Sequence, residues 1–439
     1  MLINFKYICL LTILISCFSN TLWGRTRIRT GHQDQDLYAR VKHYVYQIKT
    51  ATDAKSSKAS YGTGFVVDKN GLVITNYHVV ADALQDEDKN FKIFLVDGDK
   101  SIPARIVNIS VIHDLALLKV KKKFKNALSI SKKPPTQGET IYSIGLPKDL
   151  KMSIVKGIYN GVIKSSLYEQ ILMSSPINSG MSGGPTLNSN VQVVGINVSI
   201  LLNSQNISFA IPAAHAGKLV KEYLKKGDPD LKNNVDKIIE AQLHNVEKNL
   251  MVDMKKNPGD NFTIGNWTFA PPSKSLKCWS QNIKHDKKTY EVTNQTCFLQ
   301  DGSYVSDSIY SGSYEVQYRI VKNISRNSIQ FFNLLRTLYN KGHAFSNAYL
   351  KYYDNELISK YDCNEKIVVN KHDIPIKINY CVNGFIKYSK LYRLYVKGVT
   401  ILNRNDALIF NAKLDGFSKK SMIDFLKYQL SKIKLKNKK

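Results

Sequence analysis

The chain has 439 residues, 43% of them apolar, which is more than one ordinary domain holds and enough for well-formed cores. Its formal charge of +28 is spread over both halves instead of gathered in one patch, which argues against nucleic-acid recognition and for a general affinity for anionic surfaces. After residue 24 no apolar stretch approaches the roughly 20 residues that a membrane-spanning helix needs.

The first 24 residues carry one charge, Lys6, followed by the apolar run Tyr7 to Ser16. This is the n-region and h-region of a signal peptide. Leu14-Ile15-Ser16-Cys17 matches a bacterial lipobox, in which Cys17 is lipidated and attaches the protein to a membrane. Simple cleavage near Gly24 is the alternative. Either predicts an exported protein, periplasmic, in the cell envelope or secreted.

Asp36 to Lys49 reads as a short helix and Ala51 to Ser60 as a small-residue linker. From Tyr61 to Pro212 short apolar runs alternate with turn residues, and Asp68-Lys69-Asn70-Gly71 between two such runs signals a hairpin. Strands at this spacing with almost no helix predict barrels or a sandwich. Pro212 then opens a helix that ends at Gly227. Residues 228–259 form a helical connector, in which Val235, Ile238, Ile239, Leu243, Val246 and Leu250 recur at spacings of three and four.

Residues 260–439 return to strands and form a disulfide-containing α+β domain. Of six cysteines, Cys9 and Cys17 lie in the signal, leaving Cys278, Cys297, Cys363 and Cys381. An even count in an exported chain reads as two disulfides with three connectivities, and the absence of Cys-x-x-Cys argues against zinc. Each of the local pairs Cys278–Cys297 and Cys363–Cys381 flanks a segment with strand-like ends. Hairpin pairing would bring those ends together, so these local pairs are expected. Helices are expected at Ser328 to Tyr339 and Lys419 to Ile433. The order of cysteines, strands and helix recurs, as in two degenerate repeats.

Three segments carry chemistry. In Asn178-Ser179-Gly180-Met181-Ser182-Gly183-Gly184-Pro185 a serine stands among glycines, which permit a sharp turn and close approach of substrate. A serine hydroxyl needs a base and needs donors for the developing oxyanion. Thr75-Asn76-Tyr77-His78-Val79-Val80 offers a histidine at the end of an apolar strand. His113-Asp114-Leu115-Ala116 offers a carboxylate that could orient that histidine. The order His78, Asp114, Ser182 is that of chymotrypsin-fold enzymes.

With these motifs the chain resembles the HtrA/Deg-type trypsin-like serine proteases. The matching text includes Gly62-Thr63-Gly64-Phe65, Ile144-Gly145-Leu146-Pro147, Val194-Gly195-Ile196-Asn197 and Phe209-Ala210-Ile211-Pro212, and spans roughly residues 60–225. The resemblance implies a mainly β protein with two six-stranded barrels over residues 36–227 and the triad between them. It implies catalytic His78, Asp114 and Ser182. The amides of Gly180, Met181 and Ser182 would form the oxyanion hole, and Asn197, Val198 and Ser199 a strand lining the substrate groove. It implies protein or peptide substrates and no metal or cofactor. Pro176 and Ile177 occupy the base of the specificity pocket, where no acidic residue stands, so a small or medium apolar residue is expected before the scissile bond. Met181 replaces the family's usual Asn and is expected to narrow the groove. No PDZ-like carboxylate-binding loop follows Gly227. The alternative is an envelope-attached interaction protein that uses the barrel as a scaffold and residues 260–439 as the binding module.

Overall fold

A computed structural model describes residues 30–56, 59–85, 90–147, 151–163, 168–200, 207–284, 289–299, 302–307, 309–340, 358–402 and 405–436. Cys17, Gly24 and the rest of the signal segment lie outside the described residues. The chain divides into two compact units, Met1–His43 and Tyr44–Lys439. The first holds one described helix, α1 (Thr30–Val41). The elements below belong to the second.

Two closed barrels begin this unit. The first contains β1 (Val45–Ala51), β2 (Ala59–Asp68), β3 (Leu72–Thr75), β4 (Lys92–Asp97), β5 (Lys100–Ser110) and β6 (Leu115–Val120), in the order β1-β2-β3-β6-β5-β4. The second contains β7 (Thr140–Gly145), β8 (Ser153–Ile163), β9 (Gln170–Met173), β10 (Pro185–Asn188), β11 (Val193–Ile200) and β12 (Ser208–Pro212), in the order β10-β11-β12-β9-β8-β7. The expected hairpin at Asp68–Gly71 joins β2 to β3, with the Asn70 amide donating to the Asp68 carboxylate at 2.7 Å. The expected helix Asp36 to Lys49 is corrected: α1 stops at Val41 and β1 takes over at Val45. Val45, Tyr46 and Ile48 are good strand formers, and β1 finds a partner on each side in β2 and β4. The supposed linker Ala51 to Ser60 is the connection of the β1–β2 hairpin, with its ends already paired.

Two single-turn helices, α2 (Tyr77–Val80) and α3 (Asp82–Gln85), follow β3, and α4 (Ala213–Lys226) follows the second barrel. Next comes α5 (Leu231–Lys256), a strut shared by two cores. Its Leu231, Val235, Ile239 and Leu243 pack into the first barrel's cluster, and its Val246, Leu250 and Met254 into the C-terminal one.

The C-terminal half opens with the short strands β13 (Phe262–Ile264) and β14 (Trp267–Phe269). Its main sheet is built from β15 (Lys277–Lys284), β16 (Tyr290–Phe298), β19 (Ser313–Asn323), β20 (Asp362–Val369), β21 (Pro375–Gly384), β22 (Tyr392–Thr400) and β23 (Asp406–Phe417). These seven run antiparallel in the order β15-β16-β19-β23-β22-β21-β20. A separate hairpin, β17 (Ser303–Ser306) with β18 (Ile309–Ser311), interrupts the chain before β19, and β24 (Lys434–Leu435) joins β14 near the end. Cys278 lies opposite Cys297 and Cys363 opposite Cys381, with Cα atoms 4.1 and 4.0 Å apart, and both pairs are bonded as expected. The two cystine hairpins therefore occupy opposite edges of the sheet. Helix α6 (Ser328–Asn340) packs on the face presenting Val321, Ala407 and Ile409. Helix α7 (Lys419–Lys432) packs on the face presenting Val316, Leu408 and Phe410. The strand order is symmetric about β23, and the two helices lie on opposite faces of the sheet. Met422 and Phe425 of α7 are buried in its own domain.

Candidate active site

Asp114 sits in the turn between β5 and β6 with φ +48, a left-handed conformation that aspartate tolerates better than most residues. The turn is held locally, the Asp114 amide donating to the Val111 carbonyl at 3.2 Å. From outside, Gln242 of α5 accepts from the Val111 amide at 2.8 Å and donates to the Ile109 carbonyl at 3.0 Å. A connector helix thus fastens the segment that presents the carboxylate.

β3 leads directly to His78 in α2, and Asp114 grips this segment at several points. The Asp114 carbonyl accepts from the Tyr77 amide at 3.1 Å and from Asn76 Nδ2 at 2.8 Å. Its Oδ1 accepts from the His78 amide at 2.8 Å, and its Oδ2 lies 2.6 Å from His78 Nδ1. A ring nitrogen held this way carries the proton on Nδ1 and leaves Nε2 as the free base. Burial alone would lower the basicity of His78, but the Asp114 charge and hydrogen bond outweigh it, and the imidazole titrates above its ordinary value of 6.5.

The neighbouring His113 stacks on His215 of α4 with ring centroids 3.8 Å apart. Burial, the His215 ring and Lys218 together push His113 down to about 4, so it stays neutral near neutral pH.

Ser182 comes from the loop between β9 and β10, in the second barrel. This loop is locked to the first barrel through Thr63. The Thr63 amide donates to the Ser182 carbonyl at 2.8 Å, its hydroxyl donates to the Gly180 carbonyl at 2.7 Å, and the same oxygen accepts from the Leu146 amide at 2.9 Å. Gly183 has φ +85, and a Cβ there would meet the Thr63 carbonyl oxygen at 2.2 Å, so only glycine fits. Gly180 has φ +88, which turns its peptide relative to the next.

Among the described residues the amides of Gly180 and Ser182 have no protein acceptor, which leaves them available to an oxyanion. The expected third donor is corrected: the Met181 amide donates to the Asn178 carbonyl at 3.0 Å. The Met181 side chain is fully buried among Ile141, Ile171, Met173 and Ile177 in the second barrel, and so does not narrow the groove. Ile177 is likewise a core residue, 5% exposed. The Asn197 side chain is also buried; it donates to the Ile144 carbonyl at 3.0 Å and accepts from Thr186 at 2.7 Å, so it braces the loop instead of lining a groove. Strand pairing between β11 and β12 shifts between Asn197 and Ser199, which leaves Val198 as the extra residue. Its carbonyl accepts from Ser182 Oγ at 3.2 Å. Ser199 continues the strand opposite Phe209. The serine hydroxyl thus points to Val198, and the histidine–aspartate pair is formed independently of it.

Residues 62–196 match the family model described as a trypsin-like peptidase domain. A protein described as a probable periplasmic serine endoprotease, DegP-like, from Chlamydia trachomatis is 33% identical over 175 residues, 38% of this chain and 34% of that protein. Its counterpart of the same description in Chlamydia pneumoniae is 31% identical over 182 residues, 39% of this chain and 36% of its own. The crystal structure of Deg5 is 26% identical over 46% of this chain and 98% of its own, at a TM-score of 0.39. The chain spans about a third of the length of the curated relatives it matches. Barrels and motifs together define a serine-peptidase domain of the trypsin-like class. Over these residues the chain is similar to serine endoproteases described as DegP-like.

Several residues that shape the site escaped the sequence reading. Thr63 stands inside a quoted motif, but no local pattern says that its hydroxyl reaches a loop 117 positions away. Gln242 is a polar residue on an amphipathic helix and looks solvent-facing until β5 is placed beside it. Tyr304, in β17 of the C-terminal half, lies against the His78 ring with centroids 6.4 Å apart. Nothing in its surrounding sequence points there.

Proposed function

We propose that the protein is an exported serine endopeptidase that hydrolyses protein substrates through Ser182, His78 and Asp114. The observation that carries this reading is the double grip of Asp114 on His78, at 2.8 Å through the backbone and 2.6 Å through the ring. Oδ2 holds the proton on Nδ1, and Nε2 takes the proton of Ser182 Oγ as that oxygen, turned away from Val198, attacks the substrate carbonyl. The negative charge forming on the carbonyl oxygen is met by the Gly180 and Ser182 amides. The imidazolium then returns its proton to the leaving amine, and an ester to Ser182 remains. Water, giving its proton to His78, attacks the ester; the bond to Ser182 breaks, His78 returns the proton to Oγ, and the second product leaves.

Export is supported by the signal pattern in residues 1–24 and by the periplasmic descriptions of the relatives. The lack of an acidic residue at Pro176, six residues before Ser182, supports a small or medium apolar residue before the scissile bond. Labelling with a fluorophosphonate tests the assignment directly. Wild type should be labelled and should cleave casein, while Ser182→Ala should do neither and keep its circular dichroism spectrum. Undiminished cleavage by the variant would remove Ser182 from the mechanism.

A further inference from the structure

Two segments of the C-terminal half converge on α2, which carries His78, and on α3, which follows it. From the β17–β18 hairpin, the Val305 carbonyl accepts from the Tyr77 hydroxyl at 3.0 Å. From the segment after β21, Tyr388 donates to Gln85 Oε1 at 3.0 Å and Lys387 to the Gln85 carbonyl at 3.1 Å, while Gln85 Nε2 donates to the Tyr77 hydroxyl at 3.1 Å. Val305, Ile309, Phe385, Tyr388 and Leu391 are buried in the same apolar cluster as Tyr77, Val79 and Val80. The hairpin is therefore anchored on α2 by a hydrogen bond and by shared burial.

This anchoring delivers one aromatic ring to the edge of the site. Tyr304 is only partly buried. Its ring stands perpendicular to that of His78 at 6.4 Å and also meets the rings of Tyr77 at 6.5 Å and Tyr310 at 5.4 Å, all within the range of aromatic contact. Its hydroxyl is turned to Asp307, at 3.0 Å, which fixes the ring from its far end. The imidazole itself keeps 33% of its side-chain surface exposed. In the reaction, Nε2 must reach both the serine oxygen and the leaving nitrogen, so the substrate backbone passes directly beside this ring. A substrate side chain next to the scissile residue then lies between or alongside the imidazole and Tyr304.

We infer that Tyr304 is a specificity-determining residue of the peptidase, an apolar wall contributed by the C-terminal half. It selects peptides with an apolar side chain at a position adjacent to the residue whose carbonyl is attacked. The inference rests on the reading of Ser182 and His78 given above. It assigns residues 260–439 a part in substrate choice, beyond a tether or a separate binding module.

The test compares the full-length protein with Tyr304→Ala and Tyr304→Leu on two peptide series, one varied from Gly to Leu on each side of the residue supplying the carbonyl. Wild type should favour Leu over Gly at one of the two positions. Tyr304→Ala should lower that Leu-to-Gly ratio of kcat/KM by roughly tenfold to a hundredfold, the scale of lost contacts in an apolar pocket. The loss should fall mainly on KM, and Tyr304→Leu should give an intermediate ratio. Fluorophosphonate labelling of Ser182 should change by less than the ratio does. An unchanged ratio would overturn the inference. So would an equal fall for every peptide together with the labelling rate, because that is the signature of a ring that only steadies His78. Should Tyr304→Ala fail to fold, Tyr304→Leu reads the same ratio. Failure of the underlying assignment looks different, since wild type itself would then resist labelling.

Discussion

The two barrels have the same strand count and closure, yet they are stabilised differently. The second keeps a small cluster of its own, in which Ile141, Tyr159, Met173, Ile177 and Met181 pack behind the serine loop. The first shares one continuous cluster with α5 and with Val305, Ile309, Phe385, Tyr388 and Leu391 of the C-terminal half. His78 and Asp114 therefore stand on a barrel that borrows part of its core, and Ser182 on one that does not. Residues buried in one core unfold together unless the interface between them is weak.

The largest effect tests the histidine side alone. Asp114→Asn should lower kcat by about 10⁴-fold, the size known for loss of the histidine-orienting aspartate in a trypsin-like enzyme. The same variant sharpens the electrostatics. Because Asp114 holds the His78 pKa above 6.5, wild-type activity should fall off with acidification on the alkaline side of that value, as the base becomes protonated. The residual activity of the variant should fall off at lower pH. For stability the sign reverses. A raised histidine pKa contributes stability that is fully present below the ordinary value and is lost as pH rises through the folded one. A pH–rate profile of both proteins checks the first statement.

The next effect addresses the shared core. Arg393 and Asp415 form an ion pair in the C-terminal sheet, with side chains 4% and 2% exposed. Ser313 and Lys413 also bind Asp415, at 3.1 and 3.0 Å. Asp415→Ala removes the carboxylate from a buried ion pair and should cost about 3–5 kcal/mol. Hydrogen exchange should then rise in β5 and β6 along with the C-terminal sheet, and much less in β8 and β9. Unchanged protection in the first barrel would show that the common cluster does not couple the halves.

Reduction of the disulfides separates edge from core. Each closes a loop spanning 18 or 19 residues, worth roughly 3 kcal/mol in the loop-entropy account. Both sit on hairpins at the outer edges of the sheet, away from the cluster shared with the first barrel. Mild reduction should raise exchange in β15 and β20 first while Ser182 keeps part of its labelling. Complete loss of labelling at that stage would mean that the edges, too, support the site.

The smallest effect lies at the seam between the barrels. Thr63→Val keeps the side-chain shape but orphans the Gly180 carbonyl and the Leu146 amide, at about 1–3 kcal/mol. Since the Gly180 carbonyl is the oxygen that Thr63 holds, kcat should fall more than KM rises. Steady-state kinetics beside a thermal melt would reveal a purely structural role as a lowered Tm with kcat intact.

The chain's local chemistry determined a good deal without any structure. The proposed triad of His78, Asp114 and Ser182 stands out in the sequence because strand ends, a turn before an apolar run and a glycine-rich loop each leave a short pattern. The cystine pairs were legible because hairpin neighbours are close in sequence. The strand at Val45 was misread as helix, since its pairing partners lie 8 to 20 positions away in β2 and 41 to 49 away in β4, and only that pairing decides its conformation. Met181, Ile177 and Asn197 were assigned to the groove, but sequence position does not say whether a side chain beside a nucleophile points to solvent or to the barrel interior. That choice depends on how the barrel closes. The same holds for Thr63, Gln242 and Tyr304, whose roles arise from contacts over more than a hundred residues. Such contacts leave no periodicity or spacing in the chain, because hydrogen bonding and aromatic packing are set by distance in space, which only the folded arrangement supplies.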